Sequence, residues 1–201
     1  MMNTMRLLSL FIPFLFAACG QDKNVHAILH TGMGDISIEL FNSTPHHRDN
    51  FLMLFDRPEA DTLTFYRIER DFAIQFGPTP DSTQHDVAIE PEISAPMLGG
   101  ALAAPLAGQG DYSDGTDFFI VMDRPQDDAS LDRAEQKIGR RLDARVRASY
   151  RKYGGLPQLH GKHTVFGRVT GGMEVAQKIA ALPRDADGRP LQEVRVWVEV
   201  R

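Results

Sequence analysis

A single cysteine among 201 residues excludes an intramolecular disulfide and any metal site assembled from several thiolates. Basic residues are also scarce. Lys and Arg number 22 against 27 Asp and Glu, a formal charge of -5, so the total carries no electrostatic footprint for a nucleic-acid partner. The apolar run from Leu7 to Phe16 covers about ten residues, against the roughly 20 that a bilayer-crossing helix needs. What is present is ordinary for a soluble domain: 42% hydrophobic and 24% charged residues, which sets aside collagen-like, coiled-coil and wholly disordered chains. The length allows one domain with or without a tail. Seventeen Gly and 12 Pro announce many turns.

The position of the one cysteine is informative. Arg6 precedes the apolar run and Ala17-Ala18-Cys19-Gly20 follows it, the order of an export signal. Leu15 to Cys19 resembles the lipobox of bacterial lipoproteins, with Phe16 departing from the usual residue three places before the cysteine. The resemblance implies cleavage before Cys19 and lipid on its sulfur. The expected organisation is a signal peptide over 1–18, the lipidated cysteine and a short tether over 19–24, and one folded domain over 25–201. The expected location is the bacterial cell envelope, lipid-anchored to a membrane. The alternative is an ordinary cleaved signal with an incidental thiol.

From Val25 onward the pattern is that of a β-protein. Val25 to Thr31 and Ile36 to Phe41, separated by turn residues, read as a β-hairpin with one buried face. Pro45 is suited to the first turn of a helix, and Phe51, Leu52, Leu54 and Phe55 give an apolar stripe, so a helix is expected over 46–56. Leu63 to Ile68, Phe72 to Phe76, Asp117 to Met122, His163 to Val169 and Val194 to Val200 have strand composition. The Gly/Ala-rich run from Met97 to Ala104 offers little side chain and suits a close backbone approach. Val175, Ala176, Ile179 and Ala180 mark a second helix, stopped by Pro183. Seven or eight short strands with two isolated helices favour a β-barrel or sandwich.

The order of these segments resembles the cyclophilin family. The strings that carry the likeness are Ile36 to Phe41 with Pro45, Asn50 and Phe51; Phe65 to Ile68 with Phe72 to Gln75; Phe118 to Ile120; and Gly161 to Val169. Together they cover nearly all of residues 25–201. The resemblance implies a mainly β fold, a closed eight-stranded antiparallel barrel capped by two helices, and peptidyl-prolyl cis/trans isomerase activity. It also implies proline-containing polypeptides as partners; the lipobox adds a membrane contact through Cys19, the net charge speaks against nucleic acid, and a monomer is expected.

The chemistry such an activity needs can be stated without the family. Amide resonance sets a rotational barrier of about 18–20 kcal/mol, and X-Pro bonds exchange in tens to hundreds of seconds. In the twisted amide the nitrogen becomes pyramidal and accepts a hydrogen bond, so a fixed cationic donor at that atom acts only on the transition state. No cofactor or metal is required, and the neighbouring His46 and His47 cannot share one helical face as a ligand pair.

By resemblance, Arg67 is the catalytic donor and Gln75 orients it. Phe72, Phe119, Leu159 and His163 form the apolar cup for the proline ring. Leu106 offers a backbone group to the substrate main chain. Read alone, Phe72 and Phe119 are core residues and Arg67 a solvent-facing strand residue. Five positions depart from the family pattern, among them Phe76, which stands for a common glycine. Ala73 stands for a common methionine and makes one pocket wall smaller. Asp117 stands for a glutamine, where an acid either pairs with Arg67 or tunes peptide preference. Gln158 replaces a tryptophan associated with cyclosporin binding, and Tyr66 a common histidine. Ala73 and Asp117 are the reasons to weigh a rival function, a membrane-tethered module that binds Pro-containing segments with little or no turnover.

An insertion of about thirty residues relative to a minimal member of the family runs from Asp123 to Leu156. Leu131, Ala134 and Ile138 form one helical stripe and Leu142, Val146, Tyr150 and Tyr153 another, with Gly139 between and Gly154-Gly155 as a stop. A helical hairpin or a bent helix is expected. Its segment Arg140 to Lys152 is strongly basic, which is either a solvated face or a surface that holds a partner, a client chain or a lipid headgroup; overhanging the proline groove, it would favour clients with acidic residues.

Overall fold

A computed structural model describes residues 24–56, 63–78, 87–92, 95–108, 110–122 and 124–201. The expected signal, Cys19 and Asp123 lie outside these residues. β1 (Val25–Thr31) and β2 (Gly34–Leu40) form the expected hairpin, in register from Val25 opposite Leu40 to Thr31 opposite Gly34. β3 (Leu63–Ile68), β4 (Ala73–Pro78), β5 (Ala101–Ala104), β6 (Phe118–Val121), β7 (Thr164–Gly171) and β8 (Val196–Val200) complete an antiparallel sheet of eight strands in the order β3-β4-β6-β5-β7-β2-β1-β8. Its two ends meet where Thr64 bridges Arg195 and the Phe65 N–H donates to the Val194 carbonyl at 2.9 Å. The sheet is thereby a nearly closed barrel, which leaves little unpaired edge.

Alternation fills the interior. Phe65, Phe76, Phe118 and Phe166 point inward and are buried. They meet Phe51 from α1 (Pro45–Phe55), with ring centroids 4.9 Å apart for Phe51–Phe118 and 5.2 Å for Phe65–Phe76. α1 buries His47, Asn50, Phe51 and Leu54, a helical spacing that covers one part of the core. α4 (Met173–Ala180) adds Val175, Ala176, Ile179 and Ala180 to the same core.

The start of α1 is capped from a distant segment. Thr44 gives no side-chain cap and the first turn holds no acid. Instead the Glu92 carboxylate accepts from the backbone N–H groups of His46 at 3.3 Å and His47 at 3.0 Å, and from His47 Nδ1 at 2.7 Å. These are the orphan donors every helix start must satisfy, and a carboxylate there also complements the helix dipole. Nε2 of His47 lies 3.1 Å from Ser113 Oγ, so the consistent assignment is a neutral imidazole that donates to Glu92 and accepts from Ser113. Burial holds His47 below its ordinary value of 6.5, and its hydrogen bonds hold Glu92 below 4.5 against the cost of burial.

The insertion is the expected helical hairpin: α2 (Asp128–Ile138) and α3 (Ala144–Tyr153). Asp127 caps α2 through the Ser130 N–H at 2.7 Å and Asp143 caps α3 through the Val146 N–H at 2.9 Å, while Gly139 takes the left-handed conformation between them. Leu131, Leu142 and Tyr150 form its core, with Leu98, Ile138 and Val146 packed alongside. Tyr153 departs from the expected stripe. It is exposed, with Lys152 over its ring at 4.7 Å, because α3 ends there and the chain turns back to the barrel. At Gly155 (φ +115°) a Cβ would run into the Met97 carbonyl. The Leu156 N–H donates to that same carbonyl at 2.8 Å and so ties the end of the insertion to the segment before β5.

Glu92→Gln removes the charge that caps α1 and leaves His47 a weaker acceptor. It is expected to lower stability by about 1–3 kcal/mol, read as a shift in urea midpoint. Both groups have folded pKa values below their unfolded ones, so the unfolded chain takes up protons first as pH falls. Wild-type stability is therefore expected to decline below about pH 6.5 and further through the carboxylate range. Glu92→Gln flattens the lower part of that decline; an unchanged pH profile would contradict the capping role.

Candidate active site

On the outer face of the barrel, register sets a row of residues across neighbouring strands. Arg67 on β3 pairs with Gln75 on β4, Gln75 with Phe119 on β6, Phe119 with Ala103 on β5, and Ala103 with Val165 on β7. A β-bulge lies in this row. Phe65 faces Phe76 and Arg67 faces Gln75, so Tyr66 is the extra residue. Such a bulge re-aims the side chain that follows it. Here Arg67 comes to the solvent side beside Gln75, while Phe65 stays inside.

The apolar part of the site is a cluster separate from the barrel core. Ala73, Phe119, Val121, Leu156 and Val165 are buried in it, and Phe72 and Leu159 pack against it while remaining partly exposed. His163 stands edge-on to Phe119, with centroids 5.8 Å apart and planes at 88°. Its Nδ1 accepts the Leu106 N–H at 3.2 Å. Burial, with help from Lys162, pushes the His163 pKa down to about 4. The ring is therefore neutral at physiological pH and presents an apolar face. The nine side chains named from the sequence thus fall on one surface: Arg67 and Gln75 at one edge, Phe72, Ala73, Phe119, Leu159 and His163 as the cup, and Leu106 and Asp117 alongside.

Two pairings define the polar part of the site. The Arg67 guanidinium bonds Glu69 Oε1 at 2.5 Å, and not Gln75. Asp117 does not pair with Arg67. It shares a hydrogen bond with the Tyr66 hydroxyl, whose pKa burial and Asp117 push far up. Burial, together with Asp114, raises Asp117 to about 6. Asp117 lines a cavity of about 620 Å³ with Tyr66, Gln75, Leu106, Tyr112 and Asp114.

Three contributors escaped the sequence reading. Glu69 carries a usable signal, since residues i and i+2 of a strand share a face. Gly188, buried against Arg67 Cγ and accepting the Ile68 N–H at 2.8 Å, and Arg184, which donates to the Ile68 carbonyl, carry none, being more than a hundred positions away.

With this geometry in place, the comparisons agree. The model of the family "Cyclophilin type peptidyl-prolyl cis-trans isomerase/CLD" matches residues 26–200. The chain is 31% identical over 175 residues to the peptidyl-prolyl cis-trans isomerase cypE of Dictyostelium discoideum, covering 84% of this chain and 92% of that protein. It is 30% identical over 175 residues to the isomerase CYP18-2 of Arabidopsis thaliana, covering 84% and 88%. The fold is similar to that of a Cryptosporidium parvum cyclophilin type peptidyl-prolyl cis-trans isomerase, with a TM-score of 0.66 at 21% identity over 89% of this chain and 98% of that one. A second crystal structure of that protein, in the presence of the dipeptide Ala-Pro, aligns with a TM-score of 0.65 at 22% identity over 88% and 98%. The chain belongs to the cyclophilin-type peptidyl-prolyl cis-trans isomerase family.

The titration of Asp117 predicts a pH effect specific to substrate charge. With a pKa of about 6, the group is neutral in mild acid and anionic above. For a proline peptide bearing lysine on the flank next to Asp117, kcat/KM is expected to rise between pH 5 and 7. An uncharged peptide is expected to give a flat profile, because His163 titrates lower. Asp117→Asn should remove the inflection; its persistence would assign it elsewhere.

Proposed function

We propose that this cyclophilin-family isomerase acts on proline-containing segments of exported polypeptides, with Arg67 as the donor to the twisted amide nitrogen and Cys19 as the lipid-bearing anchor. The observation that carries the catalytic part is the row Arg67–Gln75–Phe119 beside the cup of Phe72, Leu159 and His163. A proline ring seated against Phe119 brings its amide nitrogen toward the strand edge where Arg67 stands. The guanidinium presents a planar fork of donors. Its contact with Glu69 is a surface ion pair, worth about 0–1 kcal/mol, and is readily exchanged for substrate. Gln75 is the positioning residue in this reading, directly across the ladder from Arg67.

Leu106 commits its N–H to His163, so the substrate main chain pairs with the Leu106 carbonyl. Ala73 leaves room in the wall of the cup. Asp117, engaged with Tyr66, does not neutralise Arg67, which favours turnover over a purely binding role.

Arg67→Ala is expected to lower kcat/KM for a cis-X-Pro tetrapeptide by about 10²–10³, the usual cost of one preorganised donor at developing charge. A surface substitution of this kind shifts stability by no more than about 0.5 kcal/mol, so the melting curve should hold. Wild-type protein that binds proline peptides without accelerating isomerisation would leave the binding-module reading in its place. For the anchor, intact mass spectrometry of protein extracted from membranes should give an acylated N-terminal Cys19. An unmodified terminus, or one downstream of Cys19, overturns the tether.

A further inference from the structure

The insertion builds one wall of a groove that leads away from the cup. The groove holds about 880 Å³ between the β3–β4 turn and α2, with Phe72 and Leu156 at its inner end. Both belong to the apolar cluster of the cup, so the groove and the cup share these residues. Five cations line it: Arg70 from the turn, Arg124, Arg133 and Lys137 from the insertion, and Arg184 from the loop beyond α4.

These charges are not neutralised by their surroundings. Arg133 donates to the Ser130 hydroxyl at 2.9 Å and Arg184 to the Ile68 carbonyl, both uncharged acceptors. Arg70, Arg124 and Lys137 form no ion pair among the described residues. Of the three acids in the groove, Glu69 is held by Arg67, and Asp127, which also feels Arg133, is held by the N-terminus of α2. Asp71 and the still-charged Asp127 oppose the five cations, so the groove keeps a net positive charge.

The basic segment that stood out in the sequence behaves differently. Arg147 pairs with Asp128 at 2.9 Å, Asp132 at 3.0 Å and Glu135 at 2.8 Å, and Arg151 with Asp128 at 2.6 Å. Those cations hold the two helices together. Arg133 and Lys137, four residues apart and therefore on one helical face, are the ones that α2 turns to the groove.

We infer that this groove is a subsite for acidic residues of the substrate polypeptide on one flank of the proline. The inference rests on the cup being the proline site. Along β6 the two flanks are chemically opposite: Asp117, two residues before Phe119, belongs to the acidic cavity with Asp114, whereas Arg124, five residues after it, belongs to the basic groove. A segment laid across the cup meets negative charge at one end and positive charge at the other. The preference for acid is therefore one-sided. The groove is concave and walled on two sides by α2 and the turn, a shape that takes an extended chain and not a flat bilayer. In a chain of net charge -5, it is a local exception that steers an acidic segment to the cup, with a salt dependence set by screening over about 8 Å at physiological ionic strength.

The test uses three proline peptides of equal length on the full mature protein at low salt: one with two glutamates before the proline, one with two glutamates after it, and one neutral. One acidic peptide is expected to show about 5-fold higher kcat/KM than the neutral one, and the other none or a deficit. The advantage is expected to shrink to less than 2-fold in 0.5 M NaCl. In Arg133→Glu/Lys137→Glu, and separately in Arg70→Glu on the opposite wall, the ratio of acidic to neutral peptide should fall to unity or below, with helical circular dichroism retained. No acidic preference in the wild type, a preference equal on both flanks, or one that survives both variants overturns the inference. So does loss in the variants of binding to phosphatidylglycerol vesicles with the peptide ratio unmoved, which would assign the groove to a membrane. Failure to turn over the neutral peptide would instead sink the proline-site reading, and the groove is then scored by the affinities of the same peptides.

Discussion

Closure of the eight-stranded sheet is the constraint on which the remainder rests. The bond from the Phe65 N–H to the Val194 carbonyl and the bridge beside it join the first and last strands of the ladder and fix every register between. Once the ring is set, the pleat decides the two faces of each strand. In β6 this puts Phe118 among the interior rings and Phe119 on the outside against His163. The site is the exterior of the same strands whose interior is the core, so packing inside and binding outside cannot be varied independently.

Two carboxylates, Glu92 half-buried and Glu135 buried, tie the less regular parts to this frame. Glu92 caps α1, holds His47 and, through its own N–H, bonds the Thr164 hydroxyl of β7 at 2.9 Å. Ser113, His47 and Glu92 stand in the hydrogen-bonded order of a hydrolytic triad. His47 and Ser113 are each 1% exposed, however, so no substrate reaches them and the arrangement is a strap. Glu135 does the corresponding work in the insertion, accepting from the Leu142 N–H at 3.0 Å and from Arg147. In both places a carboxylate satisfies backbone donors that helix ends or turns leave open, which is what makes burying it tolerable.

The insertion shows how one basic sequence is divided into two functions by geometry. Cations facing the partner helix are consumed by Asp128, Asp132 and Glu135. Among the described residues, those facing the β3–β4 turn form no ion pair closer than 4 Å. The same residue type thus supports folding on one side of the hairpin and an electrostatic surface on the other.

Much of this was legible in the order of residues, because it depends on short-range rules. Alternation marked the strands, Pro45 and Gly139 marked helix boundaries, and the stripe of Leu131, Ile138, Leu142 and Val146 marked the hairpin. The strings around Arg67, Gln75, Phe119 and His163 carried the family and pointed to one surface. Tertiary structure alone decided other partners: Tyr66 for Asp117, Glu92 for the start of α1, and the acids of α2 for Arg147. Those outcomes depend on a one-residue bulge at Tyr66, on barrel closure, and on how two helices roll against each other. A bulge changes which face a side chain takes without changing composition or periodicity. Contacts between residues tens to more than a hundred positions apart leave no trace in the local pattern.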